Sequence, residues 1–493
     1  MIVALKNTVG VWVSESKEKV DTRLFLFIVA MSVLKFLIFR MFSENVALFS
    51  VDFIAGNLLV ATLTGRYRKG VLFFFNSLFF LVFIILSFSS FFHFSIRSLL
   101  DSLKFYKQIN LVKYIGTFVL LAAALLTIGG LIKFILKGNR KKASLHTVPF
   151  YLSFLALIYI LQSVVFTDRS KFTNISHTSY KKTFYLFDKG DIVTMVLEDK
   201  SFAFGFGLKN KVVPLVGDKR SAFASHSVPE SKSQIFALIE SLGKFNGGAW
   251  QTMYADSMQK WVSGKGYELV VDSVPFEGAT VDGELRELFS LKGDYNTLLN
   301  TNKEYPTLFS DLKQKGYKTY SVSSSSGKVF SDRLIYGKAG CEKSIFKEDM
   351  VALPDFDADK YINQESAFSG VKDEYSFDYL LSSVFTKGDT AKKAAYFLTI
   401  NSHLPFTLNE TVAKSAEFKA FKARYEKDYD NEVLEHAYKL LTELRYFVQK
   451  SMENNIDNVV FVGDHSPPFF KPSQRAYFSQ THVPVYVLRK KSS

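Results

Sequence analysis

Five long apolar stretches fill the first third of this 493-residue chain. Each has about the length that a helix needs to cross a hydrocarbon core of roughly 30 Å. Inside a bilayer the backbone polar groups find no water, so a crossing segment satisfies them by folding as a helix. The sequence therefore predicts an α-helical membrane domain of five spans, at residues 24–39, 46–63, 71–92, 114–134 and 148–166.

Two short basic loops predict the orientation of these spans. Residues 65–70 (Gly-Arg-Tyr-Arg-Lys-Gly) separate spans two and three, and residues 137–142 (Lys-Gly-Asn-Arg-Lys-Lys) separate spans four and five. Cytoplasmic loops carry an excess of Lys and Arg, so both loops are expected inside and everything after Phe166 outside. The basic segment 95–113, which this topology places outside, has apolar residues at helical spacing and is expected to lie on the membrane surface.

The positive charge of the chain belongs mostly to this first third. Residues 1–166 hold 18 Lys and Arg against 6 Asp and Glu, which is +12 of the total +14 and leaves +2 for the rest. Nucleic-acid-binding proteins carry their positive charge on a folded, soluble surface, so no nucleic-acid partner is expected. With one cysteine, Cys341, the chain forms no intrachain disulfide, and metal binding must rely on His, Asp, Glu and hydroxyl groups.

The sequence pattern changes twice after the last predicted span. Residues 167–230 mix short strand-like runs with Lys, Asp, Ser and Gly, and are predicted to be an extracytoplasmic connector that packs against the next domain. Over residues 231–493, strands alternate with helices, which is typical of a mostly parallel sheet with helices on both faces. The predicted fold is thus a five-span helical membrane domain at 1–166 followed by a connector and an α/β domain.

Polar side chains mark the ends of several predicted strands. Ligands of open α/β sheets collect at the carboxyl ends of the strands, so these side chains are expected along one edge. The adjacent Asp464 and His465 offer one oxygen and one nitrogen ligand for a divalent metal. The alternative is a turn in which Asp464 only caps the backbone. The residues expected at this edge are Glu240, His403, Asp464, His465 and His482.

A threonine lies where a further helix is predicted to begin. In residues 276–284 (Phe-Glu-Gly-Ala-Thr-Val-Asp-Gly-Glu), a turn leads into a helix with Thr280 at or near its N-cap. The exposed amides of a helix N-terminus also hold phosphate. The start of this predicted helix is therefore a candidate phosphate site with the Thr280 hydroxyl beside it.

The order of these motifs resembles that of lipoteichoic acid synthases and related phosphoglycerol transferases, which are membrane-anchored members of the sulfatase/alkaline phosphatase superfamily. The segment 481–484 (Thr-His-Val-Pro) is closer to the phosphoethanolamine transferases that decorate lipid A and other envelope glycans. The resemblance covers residues 231–493 by motif and residues 1–166 by topology only. The motifs that carry it are residues 239–242 (Ile-Glu-Ser-Leu), 278–284, 402–406 (Ser-His-Leu-Pro-Phe) and 463–465 (Gly-Asp-His).

The resemblance implies a metal site and a nucleophile. Four residues would bind one divalent metal, Mn²⁺ or Zn²⁺, with Mg²⁺ as the alternative: Glu240, Thr280, Asp464 and His465. The hydroxyl of Thr280 would be the nucleophile.

The resemblance also implies substrate-binding residues. His403 would contact the transferred phosphate or the leaving group, and His482 would have a similar role. An arginine that follows an aromatic residue binds substrate in the synthase branch, and Arg333 in Phe-Ser-Asp-Arg is the candidate. Here the aromatic is Phe rather than Trp, and the spacing to Tyr336 is one residue shorter than expected, so the sequence departs from the family pattern.

The implied reaction transfers a phospholipid head group, phosphoglycerol or phosphoethanolamine, to a cell-envelope glycan or glycolipid. Thr280 would attack the phosphorus, release diacylglycerol and form a phosphothreonine, which an acceptor hydroxyl activated by a histidine would then displace. The expected location is the bacterial cytoplasmic membrane, multi-pass, with the catalytic domain on the periplasmic or extracellular face beside its lipid donor.

Two alternatives stay open. The domain could be a hydrolase of the phosphodiesterase or sulfatase type that uses the same metal fold. The Cys/Ser-x-Pro-x-Arg nucleophile signature of sulfatases is absent around Thr280, which counts against sulfate esters. The chain could also be a non-catalytic membrane sensor or scaffold with a degenerate sulfatase-like domain.

Overall fold

Contacts divide the chain into two compact units, with the main boundary between residues 206 and 207. The structure is a computed structural model, and it describes residues 22–39, 47–50, 53–54, 56–57, 69–92, 115–135, 185–188, 212–217, 221–247, 250, 252–276, 278–293, 295–329, 332–363, 370–386, 388–403, 406–425, 430–469 and 472–491.

The described part of the first unit contains three long helices and a small sheet. The helices are α1 (Thr22–Phe39), α2 (Lys69–Phe92) and α3 (Ile115–Ile135), which overlap the first, third and fourth predicted spans. Strands β1 (Ala47–Ser50) and β2 (Tyr185–Asp188) pair in parallel. None of the helices among the described residues is long and apolar enough to cross a membrane.

The prediction of a helix over residues 46–63 is wrong at its start. Ala47–Ser50 form a strand there, because their backbone groups bond to β2 rather than to the next helical turn. Three other predicted features lie outside the described residues: the span at 148–166, the surface helix at 95–113 and the strand at 192–197.

The second unit is built on a seven-stranded sheet with the order β5-β13-β12-β4-β11-β7-β8. All neighbouring pairs from β12 to β8 are parallel, whereas β13 runs antiparallel to both β12 and β5. The strands of this unit are β3 (Val212–Pro214), β4 (Ser233–Ile239), β5 (Tyr267–Pro275), β6 (Leu291–Gly293), β7 (Lys318–Ser323), β8 (Lys343–Ile345), β9 (Ile362–Asn363), β10 (Gly370–Val371), β11 (Lys393–Leu398), β12 (Asn458–Gly463) and β13 (His482–Lys490).

Helices cover both faces of this sheet. Side chains of β4 alternate between the two faces, with Phe236 and Leu238 in one hydrophobic core and Ile235 and Ala237 in the other. The predicted α/β domain with a mostly parallel sheet is thereby confirmed. The helices are α4 (Ala222–His226), α5 (Met253–Val262), α6 (Thr280–Phe289), α7 (Tyr295–Asn300), α8 (Leu308–Gln314), α9 (Asp332–Lys338), α10 (Lys347–Val351), α11 (Ala358–Tyr361), α12 (Asp373–Val384), α13 (Glu410–Lys414), α14 (Ala416–Tyr425), α15 (Asn431–Glu453) and α16 (Pro472–Arg475).

Two element boundaries matter for function. Helix α6 begins at Thr280 with Ala279 as its N-cap, so Thr280 lies beside the cap. Strand β11 ends at Leu398, and the backbone N–H of Ile400 donates to the Asp373 carboxylate instead of to a neighbouring strand. Residues 399–403 therefore lie beyond the strand, at the carboxyl edge of the sheet.

The last part of the predicted connector folds into the second unit. Strand β3 pairs antiparallel with β6. In α4, the buried ring of Phe223 lies 5.3 Å from the ring of Phe236 and 6.2 Å from that of Tyr396, measured between centroids. These contacts tie strand β3 and helix α4 to the rest of the second unit.

Candidate metal centre

Three chain segments bring four polar side chains together at the carboxyl edge of the sheet. Glu240 directly follows β4, Asp464 and His465 directly follow β12, and Thr280 is the first residue of α6. Strands β4 and β12 are parallel neighbours with Ile239 opposite Gly463, so the residues that follow them meet. The sheet register therefore fixes the position of three of the four side chains.

The polar atoms of these side chains lie within bonding distance of one another. The Thr280 hydroxyl lies 3.0 Å from Glu240 Oε2 and 2.8 Å from Asp464 Oδ2. His465 Nε2 lies 3.6 Å from Glu240 Oε1 and 3.3 Å from Asp464 Oδ2. One ligand atom from each of Glu240, Asp464 and His465 falls within 4.8 Å of the other two. Such a cluster can hold one cation.

The electrostatics of the cluster fit a cation. Burial and the nearby Glu240 carboxylate raise the pKa of Asp464 to about 7. Burial lowers the pKa of His465, but the Asp464 and Glu240 carboxylates outweigh it and raise the pKa above its ordinary value. A divalent cation would offset the repulsion between the two carboxylates. The donor set of two carboxylates, an imidazole and a hydroxyl, without sulfur, suits Mn²⁺, Zn²⁺ or Mg²⁺.

Two glycines permit the close approach of these segments. A Cβ atom at Gly463 would lie 2.0 Å from the carbonyl oxygen of Leu242, in the loop after β4. A Cβ atom at Gly283 would lie 3.1 Å from the Cβ of Asp464. Any side chain at these positions would push the loops or α6 apart, so glycine is needed for the cluster to form.

Ser241 holds both carboxylates in place. Its backbone N–H donates to Asp464 Oδ1 at 2.8 Å, and its hydroxyl donates to Glu240 Oε1 at 2.9 Å. It does so from a left-handed backbone conformation with φ of +56°, which costs a non-glycine residue roughly 1–3 kcal/mol. The sequence motif includes Ser241, but the pattern assigns it no role, because a left-handed φ at a serine has no local signature.

His436 is a second residue near the site that the sequence did not reveal. It occurs on α15 and, from sequence, is expected to be a surface or packing residue. The structure buries it completely, with Nε2 3.0 Å from the Ser241 carbonyl oxygen. Burial lowers the pKa of His436 to about 3, so the ring is neutral at physiological pH and Nε2 donates to that carbonyl. The ring thereby supports the strained Ser241.

The two other predicted histidines lie at the same edge of the sheet. His403 occupies the turn after β11, the neighbour of β4, and its N–H donates to the Ile400 carbonyl at 3.1 Å. His482 begins β13, the antiparallel neighbour of β12, and its Nδ1 lies 2.9 Å from the Thr481 hydroxyl. Both side chains are partly buried. The structure thus places them along the edge, on the two sides of the cluster.

Arg333 lies on α9 in a different environment. Its guanidinium is 3.3 Å from the Asp349 carboxylate and 4.5 Å from the centroid of the Phe346 ring, and half of its side chain is exposed. Phe346 follows β8, at the far end of the sheet from β12. A role for Arg333 in substrate binding stays a prediction.

Comparisons with known proteins give matches by structure only. No family model and no curated protein matches this chain. The lipoteichoic acid synthase LtaP from Listeria monocytogenes is similar with a TM-score of 0.40 and 16% identity, over 53% of this chain and 66% of that one. The zinc complex of the C-terminal periplasmic domain of EptC from Escherichia coli is similar with a TM-score of 0.36 and 15% identity, over 53% and 74%.

A third similar structure is the phosphoglycerol transferase GacH from Streptococcus pyogenes in complex with sn-glycerol-1-phosphate. Its TM-score is 0.32 and its identity 13%, over 53% of this chain and 69% of that one. This chain thus spans less than two thirds of the Listeria structure that it matches.

Proposed function

We propose that this chain is a metal-dependent phosphotransferase of the lipoteichoic acid synthase and phosphoethanolamine transferase type. It moves a phospholipid head group, phosphoglycerol or phosphoethanolamine, to a cell-envelope glycan or glycolipid. The observation that carries the proposal is the Thr280 hydroxyl, which lies at the N-terminus of α6 within 3.0 Å of two buried carboxylates. An alcohol in this position can be ionised and can face a phosphate at the same time.

Four residues would hold one divalent cation, Mn²⁺ or Zn²⁺ with Mg²⁺ as the alternative: Glu240, Thr280, Asp464 and His465. When bound, the cation favours the ionised hydroxyl and offsets negative charge on the phosphoryl oxygens. The N-terminus of α6 contributes in the same direction, because the positive end of its dipole faces the phosphate. Arg333 and the edge histidines are candidates for contacts with the rest of the substrate.

The first half of the reaction forms a phosphothreonine. As Thr280 Oγ1 bonds to the phosphorus, its proton passes to water, because Asp464 Oδ2, which lies 2.8 Å away, would be occupied as a metal ligand. The bond from phosphorus to the diacylglycerol oxygen breaks, and that oxygen takes a proton from His403 or His482. Diacylglycerol leaves, and the head group stays on the enzyme.

The second half reverses the proton movements. The acceptor hydroxyl gives its proton to the same histidine and bonds to the phosphorus. The bond to Thr280 Oγ1 breaks, and the threonine takes a proton back from water. The enzyme returns to its starting state, and the head group is on the glycan.

The proposal includes a helical anchor in the bacterial cytoplasmic membrane, with the second unit on the periplasmic or extracellular face. The apolar stretches and the two basic loops of the sequence support it. A lipid donor also favours a site close to a bilayer surface.

The test compares Thr280→Ala with Thr280→Ser in the full chain, with a fluorescent phospholipid donor and a chosen divalent metal. Thr280→Ala is expected to slow diacylglycerol release by at least about 10³-fold, because the nucleophile is lost. Thr280→Ser keeps a hydroxyl and is expected to retain turnover. Intact-mass measurement without acceptor should show one head group on the wild-type protein and none on Thr280→Ala.

Two results would contradict the proposal. Full diacylglycerol release by Thr280→Ala would exclude the threonine nucleophile. Equal turnover with and without a glycan acceptor, with free head group as product, would favour the hydrolase alternative.

A further inference from the structure

Arg286 is buried behind the turn that carries Asp464 and His465. Its Nη2 donates to the Gly463 carbonyl at 2.9 Å, and its Nη1 lies 3.5 Å from the carbonyl oxygens of Asp464 and Pro275. Only 5% of its side chain is exposed. Because Arg286 belongs to α6, it links the helix that presents Thr280 to the turn that presents two other residues of the cluster.

A second set of contacts fixes the orientation of this guanidinium. Arg286 Nε lies 2.5 Å from Glu287 Oε1. Glu287 Oε2 accepts the Ser221 hydroxyl and the Phe223 N–H, both at 2.9 Å. Glu287 is fully buried, and both of its carboxylate oxygens are used. The guanidinium is therefore held on one side by the carboxylate while its other side faces the turn.

Stability alone does not account for this ion pair. Taking both charges out of water is costly, and apolar replacements of buried ion pairs are often neutral or stabilising. The Arg286 guanidinium donates to backbone carbonyl oxygens of the Asp464 turn, and such hydrogen bonds fix the orientation of the turn. A role in positioning this turn explains why a buried ion pair is present despite its desolvation cost.

We propose that Arg286 is a positioning residue for the metal centre, and that Glu287 and Ser221 keep its guanidinium on the carbonyls of the Gly463–Asp464 turn. The Asp464 carboxylate is already held on its other side, where Oδ1 accepts the N–H groups of Ser241 and His465 at 2.8 and 2.6 Å. With the carbonyl side held too, Asp464 Oδ2 and His465 Nε2 stay directed at one point. The inference rests on the metal centre of the proposed function.

The test measures the affinity of the full chain in detergent for Mn²⁺ and for Zn²⁺ by calorimetric titration. The first variant combines Arg286→Met with Glu287→Gln, which removes both charges and leaves an amide oxygen for Ser221 and Phe223. Loss of a partner that orients a metal ligand typically weakens binding 10- to 100-fold, and we expect an increase in Kd of about that size for both metals. The melting temperature of the metal-free protein should change little.

Two further variants make the result specific. Arg286→Lys keeps a positive charge beside Glu287 and tests the same role if the double variant does not fold. A lysine ammonium cannot reproduce the paired N–H groups of the guanidinium, so the Kd of this variant for both metals should also rise. The control combines Lys393→Met with Asp389→Asn. Lys393 is likewise buried, 2.5 Å from Asp389, but it begins β11 at the opposite edge of the sheet. The control should leave both Kd values unchanged.

Three outcomes would overturn the inference. The first is a double variant that folds and has a Kd within twofold of the wild-type value. The second applies if the double variant does not fold: Arg286→Lys would then bind the metal with wild-type affinity. An equal loss of affinity in the control would show that any buried ion pair matters as much. If the wild-type chain binds neither metal, the proposed metal centre itself fails and the role of Arg286 fails with it, which is a distinguishable result.

Discussion

Two pairs of buried carboxyl groups lie at neighbouring strand ends of the second unit, and one of them belongs to the candidate metal centre. Glu240 and Asp464 follow β4 and β12, and their oxygens share a space with an imidazole and a hydroxyl. Asp373 and Glu443 belong to α12 and α15 and lie beneath the turn after β11. Both pairs are almost fully buried, so burial does not distinguish them.

The second pair is held by hydrogen bonds to the turn after β11. Asp373 accepts the N–H of Ile400 at 3.0 Å and that of Asn401 at 2.6 Å, and Glu443 Oε2 accepts the Ser402 hydroxyl at 2.9 Å. Burial and the Asp373 charge raise the pKa of Glu443 well above its usual range, and burial also raises the pKa of Asp373, which its N–H donors oppose. Because these donors favour the ionised form of Asp373, we expect Glu443 to hold the proton. The pair fixes the turn that carries His403.

The difference between the two pairs shows which buried carboxyl groups can act as metal ligands. In the pair of Asp373 and Glu443, one carboxyl group accepts N–H donors of the turn, and a proton on the other would neutralise it. Asp464 Oδ1 also accepts two N–H groups, but Asp464 Oδ2 and Glu240 lie around the same imidazole, where a cation can neutralise the remaining charge. Matched substitutions in the two pairs should therefore have different, and partly opposite, effects.

The largest expected effect is on metal affinity. Asp464→Asn removes one charged oxygen from the cluster, and we expect the Kd for Mn²⁺ or Zn²⁺ to rise by more than about 100-fold, beyond the usual effect of losing an orienting partner. Asp373→Asn should change that Kd by only a few-fold. Metal titration of both variants, with metal content measured by mass spectrometry, checks the contrast.

The stability of the same two variants completes this test. Without metal, Asp464→Asn should stabilise the protein at pH 8 by about 2–4 kcal/mol, because it removes a buried carboxylate whose pKa is about 7 in the fold. Asp373→Asn should destabilise it by about 1–3 kcal/mol, since an amide cannot accept all of the N–H groups that the carboxylate does. Equal metal loss in both variants would contradict the distinction.

The sequence predicted the cluster but not its support. Glu240, Asp464 and His465 could be found because each directly follows an apolar strand, and strand ends of a parallel sheet meet at one edge. Thr280 could be found because the turn before it predicts a helix start close by, although the N-cap is Ala279 and Thr280 is the first residue of the helix. These signals are local in the sequence, and the pairing of the strands in the sheet brings the side chains together.

The supporting residues carry no such signal. Arg286 contacts Gly463 across 177 positions of the chain, and Asp373 and Glu443 belong to helices in which a charged residue normally faces water. Nothing in the local pattern distinguishes a charge that turns inward. Only the packing of α6, α12 and α15 on the sheet reveals which acidic and basic residues are buried.

An intermediate effect is expected in the pH dependence of the metal-free protein. Asp464 has a pKa of about 7 in the fold against 3.8 for an ordinary Asp, so the folded state binds its proton more tightly than the unfolded state does. This contribution to stability is complete below pH 4 and is lost as the pH rises towards 7. Urea unfolding with chelator at pH 4–8 should therefore show a decline in the free energy of unfolding.

Glu284 provides the control for that decline. Burial raises its pKa to about 7 as well, Tyr336 donates to it at 2.8 Å, and the charge of Asp464 is only the smallest of the causes that shift this pKa. Saturating metal should remove the part of the decline that Asp464→Asn removes, and should leave most of the part that Glu284→Gln removes. A metal-saturated protein with the full decline would show that the cation does not bind at Asp464.

The smallest effect is expected at Glu443, and its small size is informative. If Glu443 holds the proton of its pair, Glu443→Gln replaces an O–H donor with an N–H donor and keeps an oxygen for Ser402. The free energy of unfolding should then change by less than about 1 kcal/mol, with unchanged metal affinity, whereas Asp373→Asn loses more. A larger loss in Glu443→Gln than in Asp373→Asn would reverse the assignment of the proton. It would also mean that Glu443 is the ionised partner, and that the turn bearing His403 is held by a charge on α15 rather than on α12.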